Sequence, residues 1–288
     1  MKAGLLPKLL FSPSVVVIMI CVYGYIMLTV YLSFTTSTML PTSELAGTEA
    51  YHRLVNLDNW WVSVRNLGTF AGLYIIIAMA LGLGLAILMD QRIRAETLFR
   101  SVLLYPMAVS FIVTGTAWKW LLDPGVGLER SLHLLGWESF SFSWIKDSDM
   151  AIYCVVIAAV WQTSGFVMAM FLAGLRGIDS EQVNAARVDG ARPWQIYLKI
   201  IIPQLSAVFV SAFVILAHTA IKSYDLVIAL TNGGPGRSTW LPSVFMYQYS
   251  FTRNEMNVGA ASSVLMLGAV ALVVVPYLLS EMRKAKHV

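Results

Sequence analysis

Six apolar runs, each about as long as a membrane crossing, leave this chain few ways to fold. They lie near residues 13–34, 67–89, 102–122, 150–175, 207–230 and 258–279. A helix needs roughly 20 residues to cross the hydrocarbon core of a bilayer. The runs are continuous rather than alternating, and open sheet edges cannot sit in lipid, so strands are excluded. Charged residues make up only 12% of the 288, too few to cover a soluble protein of this size. The expectation is an all-α integral membrane protein with six crossings. Lys2 and Lys8 precede the first run as they would in a secretory signal. No small-x-small cleavage site follows, so this run is read as a retained helix.

Basic residues set the orientation. With the N-terminus in the cytoplasm, that side holds twelve: Lys2, Lys8, Arg92, Arg94, Arg100, Arg176, Arg187, Arg192, Lys199, Arg283, Lys284 and Lys286. The other side holds seven: Arg53, Arg65, Lys119, Arg130, Lys146, Arg237 and Arg253. Both termini are therefore expected in the cytoplasm. Cys21 and Cys154 lie inside apolar runs, where they suggest buried small hydrophobes and neither a disulfide framework nor a metal site. Trp60-Trp61 and Trp118-Lys119-Trp120 read as interfacial anchors on the outer side.

One cytoplasmic loop is more orderly than a connector. Asp179 is a good helix N-cap, with Gln182 three residues on to complete a capping box. A short helix through Asn184, Ala185 and Ala186 would run past Asp189 and turn at Gly190. Arg192-Pro193 starts a second helix, on which Trp194, Tyr197 and Ile201 share a face suited to packing against the membrane end of the bundle. From the residues alone, an amphipathic interfacial loop serves equally well.

The loop resembles the coupling loop of ABC importer permeases, whose pattern is Glu-Ala-Ala, three residues, Gly, nine residues, then Ile-x-Leu-Pro. Here Ala185-Ala186, Gly190, Ile200 and Pro203 keep the spacing. Ile202 replaces the leucine, a mild change, and Asn184 replaces the acid, so the family pattern's docking charge is absent at that position. Leu230-Thr231-Asn232-Gly233-Gly234-Pro235-Gly236 reads on its own as a tight turn. With Phe171–Leu175 and Ile221–Leu226, it also resembles the carbohydrate-uptake permeases, maltose- and glycerol-phosphate-like. The resemblance looks closest to glucose/mannose-type importers of Gram-negative bacteria.

The resemblance implies a six-helix type I ABC importer transmembrane domain in the bacterial inner membrane. Residues 1–64 would form a first helix and periplasmic loop, 65–281 a permease core with coupling loop 176–203, and 282–288 a basic cytoplasmic tail. Asn184, Ala185, Ala186, Asp189, Gly190, Ile200 and Pro203 would couple to an ATPase. The partners implied are a second permease chain in a heterodimer, two ATPase subunits, a periplasmic sugar-binding protein and a sugar, with no nucleic acid. ATP and Mg would sit on the ATPase, since this chain has no G-x-x-x-x-G-K-[ST] phosphate cradle. No residue is expected to be catalytic or to hold a metal. Transport would proceed by alternating access.

Ionisable groups inside a membrane helix cost about 2.5–3.5 kcal/mol at mid-depth. The fifth run carries His218, Lys222 and Asp225 at i, i+4 and i+7, expected on one helical face. Gln162 and Trp161 sit at similar depth in the fourth run, and Thr114 and Thr116 in the third. Hydroxyl partners and an aromatic face suit a neutral sugar, so Trp161, Gln162, His218, Lys222 and Asp225 are candidates for the substrate pathway. The same groups would equally serve as interhelical hydrogen bonds and a buried Lys222–Asp225 pair. Two other classes remain. A secondary transporter without an ATPase has only Asp225 to support it and leaves the loop unexplained. An intramembrane protease would draw on Ser164 and His218 but lacks a nucleophile elbow and a third partner.

Overall fold

The computed structural model describes residues 5–91 and 94–285, with side chains over 12–91 and 94–279. Lys2, Arg92 and Lys286, used above for orientation, and residues 286–288 of the expected tail lie outside the described residues. The structure is helical, with one isolated bridge between Thr35 and Leu45 as the extended pairing among the described residues. In chain order the helices are α1 (Leu5–Ile18), α2 (Gly24–Ser33), α3 (Glu49–Val55), α4 (Asp58–Asp90), α5 (Glu96–Ala108), α6 (Phe111–Leu122), α7 (Leu128–Leu134) and α8 (Ala151–Arg176). They continue with α9 (Ser180–Val188), α10 (Pro193–Ile196), α11 (Ile202–Gln204), α12 (Ser206–Ile221), α13 (Asp225–Thr231), α14 (Pro242–Tyr247) and α15 (Met256–Ala285). Wide π turns at Met19–Tyr23, Tyr197–Ile201 and Gln248–Thr252 link α1 to α2, α10 to α11, and follow α14.

Four spans are unbroken: Ser12–Ser33, Asp58–Asp90, Ala151–Arg176 and Met256–Leu279. The other two expected spans differ from the simple reading. The run at 102–122 is two helices, α5 and α6, meeting at 99°. Pro106 lies in the last turn of α5, Val109 is extended, and the Ser110 hydroxyl accepts from Val113 N to cap a new helix. A proline followed by a serine cap stops one helix and starts the next, however apolar the flanks. The run at 207–230 is also interrupted. Helix α12 ends at Ile221, and α13 starts only at Asp225 after Lys222-Ser223-Tyr224. His218, Lys222 and Asp225 therefore do not share a helical face. Among the described residues no ion pair joins Lys222 to Asp225, and both are exposed.

The chain forms two compact units. The first comprises Met1–Trp61 and Phe245–Gly268. It is tied by polar pairs: Ser33 Oγ to Tyr51 OH (2.8 Å), Asn59 Nδ2 donating to Tyr249 OH (3.1 Å) and Arg53 to Glu255 (3.0 Å). Trp60 is buried edge-on against Phe245, with centroids 5.3 Å apart, so it is a packing residue rather than the interfacial anchor expected. Trp61 is exposed.

The second unit comprises Val62–Val244 and Ala269–Val288. Without a hydrophobic force between helices in lipid, close backbone approach at small residues holds them together. At Gly165 of α8 a side chain would strike the carbonyl of Leu103 in α5, and at Gly115 of α6 it would strike Ala229 and the backbone of α13. The ion pair of Arg176 with Glu96 (2.5 Å) ties the end of α8 to the start of α5.

Candidate functional site

The loop expected in the cytoplasm forms as two helices with a left-handed turn between them. Asp179 caps α9 by accepting from Glu181 N at 2.9 Å. Gln182 does not complete the expected box, because its Oε1 accepts from Gln204 Nε2 at 2.9 Å. A capping contact of that kind appears on the second helix instead, where Gln195 Oε1 accepts from Arg192 N at 2.8 Å. Gly190 has φ +80 with open space around it, so the backbone conformation, not crowding, asks for glycine there. Asn184, Ala185 and Asp189 are exposed, and Val188 is 87% exposed. Arg187 Nη1 donates to Asn184 Oδ1 at 3.4 Å.

The face of the second helix departs from the expectation. Ile196, Ile201 and Leu205 are buried, whereas Trp194 is exposed. The π turn at Tyr197–Ile201 takes up one extra residue and so aligns positions five apart rather than four. Ile200 is half-buried and Pro203 exposed in the first turn of α11. Behind α9 lies a cleft of about 440 Å³, lined by Asp90, Asn184, Arg187, Tyr197 and apolar residues of α8 and α10.

A second cavity, of about 280 Å³, opens where the helices are interrupted. The α5–α6 break contributes Val109, Ser110 and Phe111; α8 contributes Gln162, Thr163 and Phe166; α12 contributes Thr219; and Lys222 comes from the break after it. Tyr74 of α4 completes the wall. Interrupted spans leave backbone groups that must be satisfied without water. Gln162 does this for the first break, donating from Nε2 to Val109 O at 2.7 Å. Its Oε1 is buried with no hydrogen-bond partner, although Gln162 is only 4% exposed. The Tyr74 hydroxyl, equally buried, faces Thr163 without closing a geometrically sound hydrogen bond. Thr163 and Thr219 donate to the carbonyls of Ala159 and Ile215 and keep their oxygen lone pairs for an incoming donor.

Of the five pathway candidates, the structure brings Gln162 and Lys222 to this cavity. Asp225 lies in the adjoining hollow of about 260 Å³, which Lys222, Thr219 and Phe111 also line. Trp161 points elsewhere, since neighbouring residues on a helix lie about 100° apart. It packs edge-on against Trp118 (5.9 Å) and lines a separate hollow with Ile77 and Leu81. His218 is exposed and lines neither cavity. Thr116 is satisfied on its own helix by Ile112 O. Sequence reasoning missed Tyr74, Ser110, Thr163 and Thr219. Hydroxyl residues are unremarkable in apolar runs, and only the breaks turn these four toward one space.

Residues 77–284 match the family described as the inner membrane component of binding-protein-dependent transport systems. The chain belongs to that family. As a family permease it is a multi-pass transport component rather than an enzyme. A probable ABC transporter permease of Pyrococcus horikoshii is 39% identical over 92% of each chain. A xylose/arabinose import permease of Haloferax volcanii is 34% identical over 91% of this chain and 84% of its own. Among solved structures, a bacterial ABC transporter that imports the acidic polysaccharide alginate shares the fold. Its TM-score is 0.83 at 16% identity, covering 98% of this chain and 96% of that one. The fold is thus that of a type I ABC importer transmembrane domain, and the stand-alone transporter and protease readings fall away.

Proposed function

We propose that this permease is one of two membrane subunits of a sugar importer in a prokaryotic plasma membrane. Its partners would be a second permease chain, two ATPase subunits carrying ATP and Mg, and an external sugar-binding protein. The names of its relatives, which import pentoses in one case and a polysaccharide in another, support a saccharide. The finer choice of glucose or a related sugar rests only on the residue strings Ile221–Leu226 and Leu230–Gly236.

The observation that carries the substrate reading is the 280 Å³ cavity with the buried, unpaired Gln162 Oε1. Broken helices around a mid-membrane cavity are a recurring way to build a transport site. The wall offers acceptors at Gln162, Thr163 and Thr219 and donors at Ser110, Tyr74 and Lys222. That mixture fits hydroxyl groups, each of which donates and accepts. Asn184, Ala185, Ala186, Asp189, Gly190, Ile200 and Pro203 form the ATPase-coupling element in this reading. Closing of the ATPase dimer would carry α9 with it and switch the helices between two openings, a rigid-body transition that needs a stiff contact.

The test is uptake by the assembled transporter in proteoliposomes, with ATP inside and binding protein outside. Thr163→Val and Thr219→Val each remove one neutral hydrogen bond, about 0.5–1.5 kcal/mol. Each should weaken sugar affinity about two- to tenfold. Unchanged affinity in both variants would place the sugar elsewhere.

A further inference from the structure

Residues 123–150 connect α6 to α8 and are built as a closed loop. Lys146 Nζ lies 4.0 Å from Asp123 Oδ2 at its base. Two contacts fold the second half back on α7: Phe142 N donates to Glu129 Oε2 at 2.9 Å, and His133 Nε2 is 2.7 Å from Phe140 O. From 139 to 144 the order is Ser-Phe-Ser-Phe-Ser-Trp. In extended chain that alternation puts the rings on one side and the hydroxyls on the other. Together with Trp137 the rings form a row, with successive centroids 5.7, 6.5 and 5.0 Å apart. Trp137 in the row is 59% exposed, and Leu134 and Leu135 beside it are 79% and 82% exposed.

Large adjoining apolar side chains left outward mark a surface that something covers. Two observations say what. The loop leaves α6, the second arm of the bent apolar pair, at Leu122 and enters α8, a helix long and apolar enough to cross a membrane, at Ala151, so both of its ends are joined to the apolar segments of the chain. Its chemistry is also that of the boundary: indoles with one apolar and one polar end, serines between them, and the Glu129 and Lys146 charges used within the loop. We propose that residues 134–144 form a foot that lies in the headgroup–acyl boundary of the bilayer, steadying the α6–α8 connection from the side.

The test uses the assembled transporter in proteoliposomes, with Cys21→Ala and Cys154→Ala as background and Leu135→Cys carrying an environment-sensitive NBD label. Trp137→Cys supplies a second labelled position. The expected result is blue-shifted emission, quenching by doxyl groups high on the lipid acyl chains, and several-fold weaker quenching by aqueous iodide than the free NBD–cysteine adduct shows. Free access of iodide with no doxyl quenching overturns the proposal. Shielding from iodide that appears only when binding protein is added also overturns it, because the row would then be a protein-docking surface.

Discussion

At Gly190 a single backbone angle decides whether the turn proposed for coupling forms. Its φ of +80 is one that a β-branched residue adopts only under strain, at about 1–2 kcal/mol. Gly190→Val should leave insertion and assembly intact while lowering sugar uptake per ATP hydrolysed. Gly190→Asn, which tolerates the left-handed region, should retain most coupling; equal transport-to-hydrolysis ratios in both variants would dissociate this turn from coupling. The turn was legible in the sequence because glycine fell at a fixed distance from two alanines and a proline. Gln162 was legible for a different reason, as an amide in an apolar run that demands an explanation. Its actual duty, closing the Val109 carbonyl while leaving Oε1 unmet, was not, because it depends on a break in another helix. Gln162→Leu should therefore do more harm than Thr163→Val. It strands the Val109 carbonyl at the helix break, at about 1–3 kcal/mol. Lower yield of assembled transporter, in addition to weaker sugar affinity, is the expected outcome in detergent purification.

Among the elements, the long spans were readable in their apolar middles, although α4 starts at Asp58 where the apolar run starts only at 67, and the interrupted ones were not. Hydropathy averages over a window, so the 102–122 run looked as seamless as its neighbours. Pro106 and Ser110 were visible as letters, but proline is common in membrane helices and serine hides easily there. The lysine-to-aspartate stretch at 222–225 was likewise read as continuing helix, and the broken geometry explains why no pair forms between them. At the α5–α8 contact, Gly165→Leu should drive a side chain into the Leu103 carbonyl and reduce the yield of folded protein on size-exclusion chromatography. The nearby Arg176–Glu96 pair is partly exposed, so Glu96→Gln should change thermal stability little, by less than about 1 kcal/mol.

For the whole molecule, the family match makes the chain one component of a binding-protein-dependent transport system, and in the proposed assembly its energy comes from another subunit. Purified alone into liposomes, it should move no sugar; adding the companion subunits and ATP should restore accumulation. The architecture at this scale was legible from six apolar runs and one spaced motif. The cavity was not, since its wall is drawn from four separate stretches that only folding brings together.

The widened turn at Tyr197–Ile201 also sets a constraint on inheritance. Losing one residue from it would still leave a sound helix, but the phase of everything downstream would shift by about 100°. Ile201 and Leu205 would rotate out of the protein, with Ile202 and Ser206 taking their places. Substitutions there should be tolerated far better than a single-codon deletion, which makes length, more than identity, the heritable property of this stretch.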